Sequence, residues 1–126
     1  FRTERNRILV GHSLGGLFAL YALAEHPQLF DAYFAFSPSV WVGGEVIIPM
    51  LERSLQRTPS GETFLFVSVG AQEGNEMISG FNAVRETLEA HAPAGLRWRT
   101  EVTFGADHGS NPVLSYPVAA SKYWRP

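Results

Sequence analysis

Cysteine is absent from the 126 residues. That excludes disulfide bonds, a thiolate nucleophile and any cysteine-ligated metal, and leaves the compartment open between cytoplasm and periplasm of a bacterial-type cell. Charge is sparse as well, at 17% of residues and a net −2. No basic excess invites nucleic acid or an anionic membrane. Arg2, Arg5 and Arg7 cluster near the start, but Glu4 interrupts them and no aromatic stripe accompanies them, so they read as a solvated face. No apolar run reaches the roughly 18 residues that a spanning helix needs, and no signal peptide is legible. The histidines and carboxylates lack metal-ligand spacing. The phosphate-cradling G-x-x-x-x-G-K-[ST] and the dinucleotide G-x-G-x-x-G are both missing. No metal and no cofactor are therefore expected. Methionine is missing from position 1, and the chain begins almost inside a strand, which leads to the expectation that an N-terminal segment has been removed.

What is present is an ordinary globular composition, 45% apolar, enough for one core in one domain spanning residues 1–126. The apolar run at residues 7–11 reads as a buried strand. Leu14 to Glu25 is apolar nearly all round, which predicts a helix with little water contact, stopped by His26-Pro27. Phe30 to Phe36 reads as a second strand, broken by Ser37-Pro38-Ser39. A helix is expected over 45–56, with Pro49 near its first turn, and a turn over 58–61. Thr63 to Val69 is the clearest strand. A helix follows over 75–92, although Gly80 argues against one there. Leu96 to Phe104 alternates as a strand, and Val113 to Trp124 is a final helix interrupted by Pro117. Strands alternating with helices predict an α/β fold in three layers, a parallel sheet with helices on both faces.

The joint between the first strand and the first helix carries Gly11-His12-Ser13-Leu14-Gly15, a G-x-S-x-G nucleophile elbow. A strained turn there points the Ser13 hydroxyl out of the backbone, and glycines at 11 and 15 remove side chains that would collide. The Leu14 N–H can face an oxyanion, with the helix dipole behind it. A serine needs a base, and the base needs an orienting group. Along the chain the order is serine, acid, histidine. His26 and His91 end helices and read as caps, and His12 lies inside the elbow. His108, in "GADHGSN" beyond the last strand, is the expected base. Glu73, three residues past Gly70, is the expected acid. Glu76 reads as a charge at a helix N-terminus, and Asp107 would diverge from its neighbour His108. A weakened or absent third member is the remaining alternative. "SPSVW", residues 37 to 41, ends the second strand on the same carboxyl edge, where open parallel sheets bind ligands. Trp41 there either lines the substrate pocket or lies buried under a loop.

Taken together, "GHSLGGLFALYALAEHPQLFDAYFAFSPSVWV", "FLFVSVGAQEGN" and "GADHGSNP" resemble the branch of the α/β-hydrolase superfamily that holds esterase D and the enterobactin-type siderophore esterases. The three blocks fall in order and cover nearly the whole chain. The resemblance implies Ser13 as nucleophile, His108 as base and Glu73 as acid, although some siderophore esterases of this family resemble a Ser-His dyad. It implies an aromatic near the cleft at Trp41, and carboxylic esters, including siderophore lactones, as substrates; His12, beside the serine but pointing elsewhere, is with Trp41 an expected substrate contact. Family members carry a long segment before the elbow that supplies the first strands and the second oxyanion donor. The chain thus resembles the C-terminal half of an α/β-hydrolase fold. The strand at 7–11 would then be an exposed edge that invites pairing with a second copy. Two competing functions use the same residues: an acyl transferase or thioesterase, and a non-catalytic binding or interaction domain.

Overall fold

The structure is a computed structural model that describes residues 6–57 and 62–124. The turn expected at 58–61, like Arg2 and Arg5, lies outside the described residues. Eight elements alternate along the chain: β1 (Ile8–His12), α1 (Leu14–Glu25), β2 (Ala32–Phe36), α2 (Ile47–Leu55), β3 (Thr63–Gly70), α3 (Asn75–His91), β4 (Leu96–Thr103) and α4 (Asn111–Trp124). The strands form one parallel sheet in the order β1-β2-β3-β4. Val10 stands opposite Phe34, Phe34 opposite Phe66, and Phe66 opposite Arg99. α1, α2 and α3 each carry the chain back to start the next strand in the same direction.

Side-chain alternation divides the core into two layers. Tyr33, Ala35, Leu65, Val67 and Val69 pack with α1, α2 and α3 on one face of the sheet. Phe34, Phe36, Phe64 and Phe66 face the other way, against Ala119 and Tyr123 of α4. Covered on both faces, β2 and β3 are buried at every residue, which explains their unbroken apolar runs.

Several expectations need correction. α1 is not shielded all round, because Leu14, Phe18 and Tyr21 are exposed along one stripe. Its other side packs on β1, β2 and α2, and uniform apolarity could not show which face would find a partner. β2 begins at Ala32 rather than Phe30. Ahead of it, Asp31 clips the start of β1 by accepting the Arg7 N–H at 2.9 Å. α2 begins at Ile47, after Glu45 takes a left-handed backbone at φ 61°. Pro49 then falls within the first turn, where its missing N–H has no intrahelical partner. α3 runs unbroken through Gly80. A Cβ there would lie 2.8 Å from Val40, so the glycine lets helix and loop approach closely. α4 runs through Pro117 because Ser115 and Ala119 bury against the sheet, and packing outweighs propensity.

Candidate active site

All the expected site residues lie at the carboxyl ends of the strands. Ser13 follows β1, Ser37 to Trp41 follow β2, Glu73 lies three residues beyond β3, and His108 lies five beyond β4. Successive parallel strands thus deliver four loops to one edge of the sheet.

Ser13 has φ 65° and ψ −119°, a left-handed conformation rare for a residue with a side chain. The turn is held on both sides. The Ser13 N–H donates to the Phe36 carbonyl at 3.0 Å, and its own carbonyl accepts from Leu17 and Ser39 N–H groups. Gly11 is obligatory here, because a Cβ would lie 1.9 Å from the Gly15 carbonyl oxygen. The expected collision at Gly15 does not occur, since nothing lies within 4 Å of its Cβ position. Gly15 already turns with the helix, and the crowding falls on Gly16, against Phe36 and Pro38. Leu14 is the first residue of α1, a position whose N–H has no intrahelical acceptor.

Ser13, His108 and Glu73 form one hydrogen-bonded line. His108 Nε2 is 3.1 Å from Ser13 Oγ, and His108 Nδ1 is 2.7 Å from Glu73 Oε1. The carboxylate can only accept, so Nδ1 carries the proton and Nε2 is left as the acceptor for the serine hydroxyl. His108 is 43% exposed in its side chain, whereas that of Glu73 is fully buried. The buried carboxylate also accepts from the Gly70 N–H at 2.7 Å and from Ser37 Oγ at 2.5 Å.

The other candidates separate as well. Asp107 turns away from His108: its Oδ1 accepts from the Ser110 N–H and hydroxyl at 2.8 and 2.9 Å. Those bonds hold its carboxyl below the usual aspartate range. Glu76 sits in the first turn of α3. His26 caps α1 and His91 is the last residue of α3. His12 points at the base: its Nε2 donates to the His108 carbonyl at 2.8 Å, and the two rings lie 4.7 Å apart. Trp41 is exposed rather than buried beneath its loop.

Sequence reasoning missed a buried polar group behind the acid. Ser37 has φ 49° and is fully buried. Asn111 donates through Nδ2 to Ser37 Oγ at 2.9 Å and to Ser68 Oγ at 3.1 Å, and Ser115 donates to Ser68 at 2.7 Å. Ser39 Oγ lies 3.3 Å from Ser13 Oγ. Serines flanking a proline read as a strand breaker, and that reading hid Ser37 and Ser39. A serine inside the apolar run of β3, Ser68, with Asn111 and Ser115 on α4, was the available signal.

Size alone would point elsewhere. A cleft of 390 Å³ opens at the amino ends of β3 and β4, lined by Leu23, His26, Arg57, Thr63 and Leu96. It is at the opposite end of the sheet from Ser13. A 360 Å³ hollow beside Gly11, His12, Phe36 and Val113 adjoins the elbow. Among the described residues, no group of three or more His, Asp or Glu could hold a metal ion, and no helix is long and apolar enough to cross a membrane.

The parallel sheet, its helical layers and the strand–elbow–helix joint define the class: an α/β-hydrolase fold. Within it, the chain belongs to the family described as "Putative esterase", whose model matches residues 1–101. It is 41% identical over 68 residues to a siderophore enterobactin esterase of Emericella nidulans, covering 52% of this chain and 22% of that protein. It is 25% identical to the ferri-bacillibactin esterase BesA of Bacillus subtilis over 97% of this chain and 43% of that one. Among solved structures, the BES protein of Bacillus cereus superposes with a TM-score of 0.83 at 31% identity, over 89% of this chain and 42% of that one. The siderophore hydrolase EstA of Aspergillus nidulans superposes at 0.72 with 29% identity, over 95% and 48%. The chain therefore spans less than half the length of these relatives.

Proposed function

We propose that this chain carries the catalytic residues of a serine carboxylesterase acting through an acyl-enzyme. Ser13 is the nucleophile, His108 the general base and Glu73 the group that orients it. The carrying observation is the unbroken line from Ser13 Oγ through the two ring nitrogens of His108 to Glu73. Ser13 Oγ attacks the ester carbonyl carbon while its proton passes to His108 Nε2. The oxyanion forms beside the Leu14 N–H, at the positive end of α1. Collapse breaks the bond to the alkoxy oxygen, which leaves with the proton from His108. Water, deprotonated by the same nitrogen, then attacks the acyl-enzyme and releases the acid. Glu73 stabilises the imidazolium formed in each half-reaction.

The proposed substrates are carboxylic esters, and siderophore lactones in particular. The support is that relatives carry the names of siderophore and ferri-siderophore esterases. Trp41 is an exposed aromatic face two residues beyond Ser39. With Nε2 committed to the His108 carbonyl, His12 offers substrate its Nδ1 and ring edge. We also propose that two copies pair through β1, which is an edge strand in the described sheet and exposes Val10. A concentration-independent monomer in sedimentation would rule that pairing out.

The test of the reaction is turnover of simple acyl esters and of siderophore trilactones by wild type and Ser13→Ala. Hydrolysis by wild type with background rates in Ser13→Ala is the expected result. Saturable binding without turnover would establish the non-catalytic reading instead. Product carrying an added alcohol or thiol would establish the acyl transferase.

A further inference from the structure

Behind the expected acid lies a polar chain that the reaction itself does not use. Asn111 is fully buried at the first position of α4, three residues past His108. Its Nδ2 donates to Ser37 Oγ, and Ser37 Oγ donates to Glu73 Oε2. The direction of this chain follows from proton counting. A carboxylate brings no proton, so the single hydroxyl proton of Ser37 lies toward Glu73. The Ser37 oxygen must then accept from the other side, and only the NH₂ end of Asn111 can supply that bond.

The opposite end of the amide carries the mark of this constraint. Asn111 Oδ1 is buried with no hydrogen-bond partner among the described residues. Rotating the amide would aim Oδ1 at the Ser37 and Ser68 hydroxyls. The Ser37 proton would then be drawn to Asn111 and away from Glu73. The orphaned oxygen is thus what remains when the amide is held with its donors toward the acid. Ser37 carries a second mark. It adopts a left-handed backbone, φ 49°, fastened by its own N–H to the Ser68 carbonyl at 2.7 Å. Ser68 in turn accepts the second Asn111 proton. The strained Ser37 and the amide of Asn111 meet at one hydrogen bond, and the next bond, donated by Ser37, ends on Glu73.

We propose that Asn111 is a positioning residue: its amide sets the proton direction of Ser37, which fixes Glu73 as acceptor for His108 Nδ1. The proposal rests on the hydrolase reading above. Asn111 also ties the base to the acid mechanically. Its N–H donates to the Asp107 carbonyl at 3.0 Å, so one short segment holds the histidine loop and grips the shell of Glu73.

The experiment is a double-variant cycle of Ser37→Ala and Asn111→Ala, with kcat and KM for an activated ester and the His108 Nδ1–H signal by NMR. Each single variant is expected to lower kcat by about 10–100-fold with KM nearly unchanged. The double variant should be no worse than the weaker single by more than ~3-fold, because both act through one bond. Multiplying effects would overturn the proposal, as would a Ser37→Ala protein with wild-type kcat and an unmoved Nδ1–H signal. If Asn111→Ala does not fold, Ser37→Ala alone decides through that signal, which needs no turnover. An inactive wild type whose Nδ1–H signal is lost in Ser37→Ala would sink the hydrolase reading and leave the positioning role standing.

Discussion

Ser13 keeps a left-handed backbone that costs a residue with a side chain about 1–3 kcal/mol, and it does so because Phe36 of β2, Leu17 of α1 and the loop residue Ser39 hold the turn by three hydrogen bonds. The strain places Oγ where His108 can reach it. Glu73→Gln would replace the acceptor facing Nδ1 with an amide able to present a donor, favouring the wrong tautomer. Its kcat should fall by about 10²–10⁴-fold, with the fold intact by circular dichroism. His12→Phe preserves a ring against His108 but removes the bond to its carbonyl. A loss of about 5–10-fold in kcat is expected there, equivalent to one hydrogen bond. The grouping of Ser13, His108 and Glu73 was legible because their residue types and chain order follow a nucleophile–acid–base pattern. Asn111 and Ser37 were not. Their meaning arises only when α4 packs on the sheet and brings positions 74 residues apart to 2.9 Å.

Elements were legible where periodicity and punctuation agreed. β3 and α3 begin where the sequence predicts, and α1 matches at both ends. Edges moved where tertiary contacts intervene, as at Asp31 before β2 and Glu45 before α2. The two elbow glycines, equal in the motif, are unequal in the structure. Gly11→Ala drives a Cβ into the Gly15 carbonyl and should cost at least about 4 kcal/mol or abolish folding. Gly15→Ala meets open space on a helix and should gain roughly 0.5–1 kcal/mol by denaturant titration. The histidine loop has its own acid sensitivity. Hydrogen bonds from Ser110 lower the folded pKa of Asp107 from its ordinary 3.8, so its support is complete above that ordinary value and is lost as pH falls through the lowered one. Faster amide exchange at Ser110 and Asn111 in acid, relative to the rest of α4, is the expected signature. Asp107→Asn should remove that pH dependence.

At the scale of the described residues, the sheet has two distinct surfaces. The carboxyl edge gathers the hydrogen-bonded line; at the β1 edge Val10 is exposed next to Val113 and Tyr116 of α4, and α1 exposes Leu14, Phe18 and Tyr21. An exposed edge strand with apolar neighbours favours association. Val10→Lys with Phe18→Glu should shift sedimentation toward the monomer without disturbing the Ser13–His108 distance. A dimer unaffected by both changes would place the contact elsewhere. The proposed line from Ser13 through His108 to Glu73 should activate the serine hydroxyl. The most direct measurement is intact mass of the chain after exposure to a fluorophosphonate, with Ser13→Ala and His108→Ala alongside. A single adduct on wild type, lost in Ser13→Ala and strongly slowed in His108→Ala, is what the account predicts. A wild-type chain that stays unlabelled, or an adduct that survives Ser13→Ala, would contradict it.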